Sequence, residues 1–439
     1  MSSRATFLLL LLSQSPFTAA LLAELPREWV DPNTGHRVVR LSQEPGSASF
    51  YFHQNAYTSE GDKLLISTPE GLATIDLTKN WAIDVVVPRS NYGAGGSSGL
   101  EIGRKSRQVY YSVRGEAGTL IRATHLDTKD TRDVVQLPFF ASFNGVNADE
   151  TQLIGTMSER RPGGPRPAGA DATASGAAGG QPSPGFRPGR SLAARTNIPR
   201  SMKFFSADIK TGEVKFFHPS TDWLNHAQCS PTDPRMMLFC HEGTWHEVDR
   251  VWTLRIGTDD AKLMHRRTMP YEIAGHEFFG HDGKWVWYDL QTPRSKEFWL
   301  AGVNLETGER IRYGLERSEW SVHYNVSPDG KLFAGDGGGP NSVANRSPMP
   351  ENRPLNPPGN GQWIYLFTPK ADFKTEPIDG EAVKVGSFTS EKLVDLSKHD
   401  YDLEPNVTFT PDGKWVVFRS NMQGERHVYA VEVAKAQPQ

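Results

Sequence analysis

The sequence predicts an all-β fold: a seven-bladed β-propeller closed by an N-terminal strand that joins the last blade. Three observations carry that expectation. A polar turn followed by an apolar, β-rich strand recurs along the chain, its period is that of a propeller blade, and the units fill the 439 residues.

The turns come in order. Glu60-Gly61-Asp62 precedes Leu64-Leu65-Ile66, Gly103-Arg104-Lys105 precedes Val109-Tyr110-Tyr111, and Asp149-Glu150 precedes Leu153-Ile154. Pro231-Thr232-Asp233 then precedes the strand 236–240, Asp282-Gly283 precedes Trp285-Val286-Trp287, Asp329-Gly330 precedes Leu332-Phe333, and Asp412-Gly413 precedes the strand 415–418. Asp-Gly between apolar runs is a strong hairpin signal, because glycine accepts the left-handed backbone that a tight turn demands. Spacing is roughly 43–50 residues, with two intervals of about 83, against a blade period near 40–50. Each long interval holds a low-complexity insertion, 159–199 and 337–361, expected as disordered or mobile loops. The residues after Gly424 supply only one more strand, so the segment 36–41 is expected to complete the last blade and leave no open edge.

Residues 1–23 read as a secretory signal, with Arg4 before the apolar run 7–12 and Thr18-Ala19-Ala20 at the cleavage side. That implies export, to a periplasm, of one propeller domain spanning 24–439. The apolar run is too short to span a bilayer. Forty-eight basic against 51 acidic residues, a formal charge of −3, give no reason to expect nucleic acid or an anionic membrane as partner. Cys229 and Cys240, the only cysteines, would flank one hairpin, which makes a disulfide feasible and a zinc thiolate site impossible. The string 95–99 fits Gly-x-Ser-x-Gly but lacks the strand–turn–helix setting of a nucleophile elbow.

In a blade the innermost strand runs from one face of the ring to the other, so residues six or seven positions before each turn gather at the opposite mouth. His53, Asn144, His226, His276, His323 and Asn406 stand there, with Glu404 two before Asn406. The loops after the second strands add His241, Glu242, His246, Asp249, Arg250, Asp289, Arg294 and Asp336. A lone histidine is ordinarily a satisfied structural one; three at equivalent positions of successive units point to chemistry. β-Elimination from a uronic acid would use such a set. It needs the carboxylate neutralised, a base for the C5 proton, and help for the leaving oxygen.

At these residues the sequence resembles the oligogalacturonate lyases, polysaccharide lyase family 22. The likeness lies in Trp223-Leu224-x-His226, Phe239-Cys240-His241-Glu242-Gly243, Asp249-Arg250-x-Trp252, His276-Glu277-Phe278, Ser321-x-His323, Gly335-Asp336-Gly337 and Phe409-Thr410-Pro411-Asp412. The resemblance implies a propeller that cleaves short pectic oligomers with manganese, His276 as catalytic base, Arg250 as its companion and His323 as a metal ligand. It departs from the family in the last unit. There a Gln and a His-x-His pair are expected, and this chain has Tyr401, Glu404 and Asn406. Glu404 and Asn406, with His399, are therefore the candidates to complete a divalent site for Mn²⁺, Ca²⁺ or Mg²⁺. His226, His241, Glu242, Asp336 and Arg294 are the candidates for contact with the acidic oligosaccharide. The competing readings are a lyase for a different uronate oligosaccharide and a non-catalytic periplasmic propeller of the TolB-like kind, which would have no use for converging histidines.

Overall fold

The computed structural model describes residues 26–91, 99–159, 200–340, 342–345 and 362–436. The signal reading of 1–23, nearly all of the 159–199 insertion, most of the Gly-x-Ser-x-Gly string and residues 341 and 346–361 of the second insertion lie outside the described residues. Within them the chain is strands and short 3₁₀ turns, and no helix is long and apolar enough to cross a membrane.

The blade count is corrected. Five separate sheets form as blades, and a single nine-stranded sheet stands where two further blades were expected. The first blade holds Lys63–Ser67, Gly71–Asp76 and Ala82–Pro88. The second runs from Leu100–Ile102 through Gln108–Arg114 and Thr119–His125 to Thr131–Leu137. The third comprises Ser142–Val146, Gln152–Ser158, Met202–Asp208 and Val214–Ser220, and the fourth Trp223–Cys229, Met236–Glu242, Val251–Arg255 and Ala261–Leu263.

The large sheet begins as an ordinary four-stranded blade, Ile273–Phe279 to Arg310–Leu315. The 15-residue strand Glu381–Asp395 then pairs in parallel with Arg310–Leu315 through Val383 to Ser387, and antiparallel with Trp363–Pro369 from Phe388 onward. One long strand thus welds two units by satisfying the exposed edge of the first. Turn counting sees hairpins and is blind to such an edge-to-edge junction. The last sheet pairs His36–Arg40 with His427–Lys435, so the two ends of the described chain lie in one sheet.

The core lies between neighbouring sheets. Leu64, Leu65 and Ile66 of the first blade meet Val109 and Tyr111 of the second and Val417 and Val428 of the last, all essentially buried. At roughly 25 cal/mol per Å² of apolar surface removed from water, such interlayers are the main source of cohesion. The described part of the 337–361 insertion, 337–340 and 342–345, includes regular structure. Val343–Asn345 forms a 3₁₀ turn whose Ala344 packs with Phe298 and Trp320, because a small side chain there seals an aromatic pocket. Cys229 and Cys240 are buried free thiols rather than a disulfide; they lie on adjacent strands but out of register.

Candidate active site

The innermost strands of the fourth blade and of the large sheet share a local device. In Trp223–Cys229 the register slips between Asn225 and Gln228, and in Ile273–Phe279 between Gly275 and Phe278. At each bulge a histidine adopts a left-handed backbone, His226 with φ 50° and His276 with φ 46°. Such a conformation is uncommon outside glycine and clusters at functional sites. A bulge re-aims side chains that a regular pleat would alternate, so both imidazoles turn toward the same space. Asn406 has the same backbone sign, with φ 57°.

His276 is anchored. Its Nδ1–H donates to Asp289 Oδ1 at 2.8 Å, which leaves Nε2 as the basic nitrogen. Burial opposes its protonation, but the Asp289 carboxylate outweighs this and raises its pKa above the ordinary value. Its side chain is 10% exposed. His323 repeats the arrangement, with Nδ1–H donating to Asp336 Oδ2 at 2.8 Å and its backbone N–H to Oδ1 of the same carboxylate at 2.8 Å. The two imidazole rings meet edge to face, with centroids 4.9 Å apart.

His323 Nε2 is buried without a hydrogen-bond partner among the described residues, and Glu404 Oε2 stands 3.7 Å from it. Glu404 is 48% exposed, so it reaches this nitrogen from the solvent side. Two ligands of one divalent ion, each about 2.0–2.3 Å from it, sit at a comparable separation. The pair therefore fits a two-donor seat, with the oriented imidazole that metal ligands typically have. Among the described residues no group of three His, Cys, Asp or Glu converges as a full metal cage. His399 does not contribute, since Nδ1 engages Ser420 Oγ and Nε2 engages Leu403 O. The Asn406 amide is likewise engaged, accepting from Phe52 N and donating to Glu404 O. Tyr401 donates to Asp336 O.

Arg250 is buried, with 1% of its side chain exposed. Its Nη1 donates to Glu242, and its guanidinium lies over the Trp245 ring, 4.1 Å from the centroid. Burial pushes the Glu242 carboxyl up, but Arg250 outweighs it and holds Glu242 down at about 2. Glu242 is thus Arg250's counter-ion. Trp245 also packs on His276 at 5.2 Å, and a Cβ at Gly275 would come within 2.6 Å of its ring, so glycine is required there. Tyr51 lies among the imidazoles, with ring centroids 4.9 Å from His53, 5.6 Å from His226 and 5.1 Å from His323.

Three expected contacts are placed elsewhere. His241 points to the opposite side of its strand from Glu242, as alternation requires, and packs on Trp252 and Phe239. Asp336 is fully buried and orients His323. Arg294 Nε donates to Val343 O, close to His246 rather than among the central imidazoles. Trp245 and Tyr51 were missed by the sequence reading. Trp245 falls inside the 243–250 stretch that joins Glu242 to Arg250, whereas no signal marked Tyr51. A cavity of about 310 Å³ lined by Ser318, Glu319, Tyr365 and Lys392 shares no residue with this cluster.

An all-β blade assembly that gathers carboxylate-anchored histidines and a buried arginine at one place is the class that fold and site define. The chain belongs to the oligogalacturonate lyase family, whose sequence profile matches residues 197–437. An oligogalacturonate lyase of Dickeya dadantii (strain 3937) is 28% identical over 229 residues, 52% of this chain and 54% of its own length. The chain spans about half the length of the curated relatives it matches. Two solved structures share the fold. An oligogalacturonate lyase in complex with manganese superposes with a TM-score of 0.68 at 20% identity, covering 93% of this chain and 96% of its own. One from Vibrio parahaemolyticus gives 0.66 at 21%, with the same coverage.

Proposed function

We propose that the protein cleaves short uronic-acid oligosaccharides of pectic type by β-elimination, producing a 4,5-unsaturated uronate. The observation that carries this reading is His276, aimed by a bulge and fixed by Asp289, beside a second imidazole whose Nε2 has no hydrogen-bond partner among the described residues. His276 Nε2 is the base that takes the C5 proton, and Asp289 stabilises the imidazolium that results. Arg250, held charged by Glu242 and shielded by Trp245, places a fixed positive field beside the charge that develops on the substrate carboxylate and C5.

His323 Nε2 and Glu404 would hold a divalent cation, manganese first and calcium or magnesium next, with water and substrate oxygens as the remaining ligands. When bound, such an ion neutralises the uronate carboxylate and so acidifies C5. Replacement of the family's imidazole ligands by Glu404 favours hard, oxygen-seeking ions. Export to the periplasm is part of the same reading and is checked by fractionating the cell of origin.

The direct test is ultraviolet detection of the unsaturated product over a panel of uronate oligosaccharides, with and without chelator. Absence of signal with every oligomer and every divalent ion would end this assignment.

A further inference from the structure

The proposed elimination leaves one buried polar pair unused. Glu277 is wholly buried, and neither carboxylate oxygen has a hydrogen-bond partner among the described residues. Its Oε1 lies 3.8 Å from Nδ1 of His226, an atom that also lacks a partner there. An unsatisfied buried carboxyl is costly, and more so when charged, so such a group in a site calls for a use.

Its position is held from the neighbouring strand. Gln228 Nε2 donates to the Glu277 carbonyl at 2.6 Å, and Gln228 sits two residues beyond His226. The two matching bulges bring the pair together from adjacent innermost strands. Burial pushes the Glu277 carboxyl up to about 7 and pulls His226 down to about 4. Below about pH 7 they therefore meet as a neutral acid and a neutral imidazole rather than as an ion pair, with one transferable proton on Glu277. His226 is 16% exposed and shares the Tyr51 surround with His53 and His323.

We propose that His226 is the general acid that protonates the departing oxygen, and that Glu277 behind it is the proton reserve. The step rests on the elimination reading and completes its proton inventory. The C5–H proton goes to His276, its electron pair forms the C4=C5 double bond, and the C4–O pair leaves with the oxygen. That oxygen takes the Nε2 proton of His226 while Nδ1 takes the carboxyl proton of Glu277, so the imidazole stays neutral. Turnover closes when His276 releases a proton to water, His226 Nδ1 returns its proton to Glu277, and the partly exposed side of His226 takes a new Nε2 proton from water. Separations of this kind commonly shorten in the substrate complex.

Two substrates separate this role from a structural one: a galacturonate oligomer, whose leaving sugar oxygen needs a proton, and a uronate bearing fluoride at C4, which does not. His226→Gln is expected to slow the oligomer by roughly 10²–10⁴-fold and the fluoride by under about tenfold. Glu277→Gln, nearly isosteric, should show the same split in kcat with KM little changed. His276→Ala should slow both substrates. Circular dichroism and melting confirm that each variant is folded. Equal losses on the two substrates for His226→Gln, or native rates on the oligomer for Glu277→Gln, overturn the proposal. A native protein inert toward both substrates instead refutes the elimination reading, and this role with it.

Discussion

Asp289 Oδ1 accepts from His276 Nδ1 at 2.8 Å, and the acceptor belongs to the strand next to the bulge that aims the imidazole. That bond fixes which nitrogen is basic. His276→Ala should slow product formation by about 10²–10⁴-fold. Asp289→Asn should keep the fold and lose roughly 10–100-fold, since an amide no longer enforces the tautomer. Progress curves of unsaturated product decide it, and an unaffected Asp289→Asn enzyme would contradict the orientation argument.

The His323–Glu404 seat makes a prediction that does not depend on turnover. Calorimetric titration with Mn²⁺ should give a measurable affinity in the native protein and none in either His323→Ala or Glu404→Ala. Asp336→Asn, which loosens the imidazole without removing a ligand, should weaken the ion by roughly 10–100-fold. His399→Ala should leave it unchanged, because both ring nitrogens are already engaged. Equal affinity in all four variants would mean that the ion sits elsewhere.

Glu277 ties the site to stability. Its folded pKa, about 7, lies above the ordinary 4.5, so the unfolded chain gives up its proton first as pH rises. Stability from this group is intact below pH 4.5 and is lost progressively up to about 7. The shift corresponds to about 3 kcal/mol as an upper bound. Glu277→Gln should therefore melt like the native protein at pH 4 and higher than it at pH 8. Identical melting differences at the two pH values would show that the carboxyl is not held protonated.

Arg107 binds Asp62 and Asp127 together on the surface of the first two blades. Its hydrogen bond to Asp62 holds that carboxyl at about 2, against burial, and lowers Asp127 further. Both folded pKa values are depressed, so this contribution is fully present above about pH 4, and it is lost as pH falls through about 2 for Asp62 and lower still for Asp127. Arg107→Ala should lower the melting temperature at pH 7 and lower it by less near pH 2. The effect should shrink in high salt, because the groups are partly exposed.

The candidate histidines were legible in the sequence as a set of equivalent positions. His226, His276 and His323 stand at repeat-equivalent positions, and the tertiary structure does bring them around Tyr51 or into ring contact. His241 was misjudged because a strand alternates its faces, and adjacency to Glu242 in sequence puts it on the wrong one. Asp336 and Glu242 were named as sugar contacts, yet they serve His323 and Arg250, because a buried charge finds its partner inside the protein first.

The sequence by itself determined the all-β character, the turns, the recurring unit and the chemical inventory, since hairpin residues and apolar alternation are local signals. Only the tertiary structure decided that two units fuse through Glu381–Asp395 and that Glu277 faces His226. Edge pairing, bulge direction and the partner of a buried proton depend on strands far apart in the chain, so no local pattern encodes them.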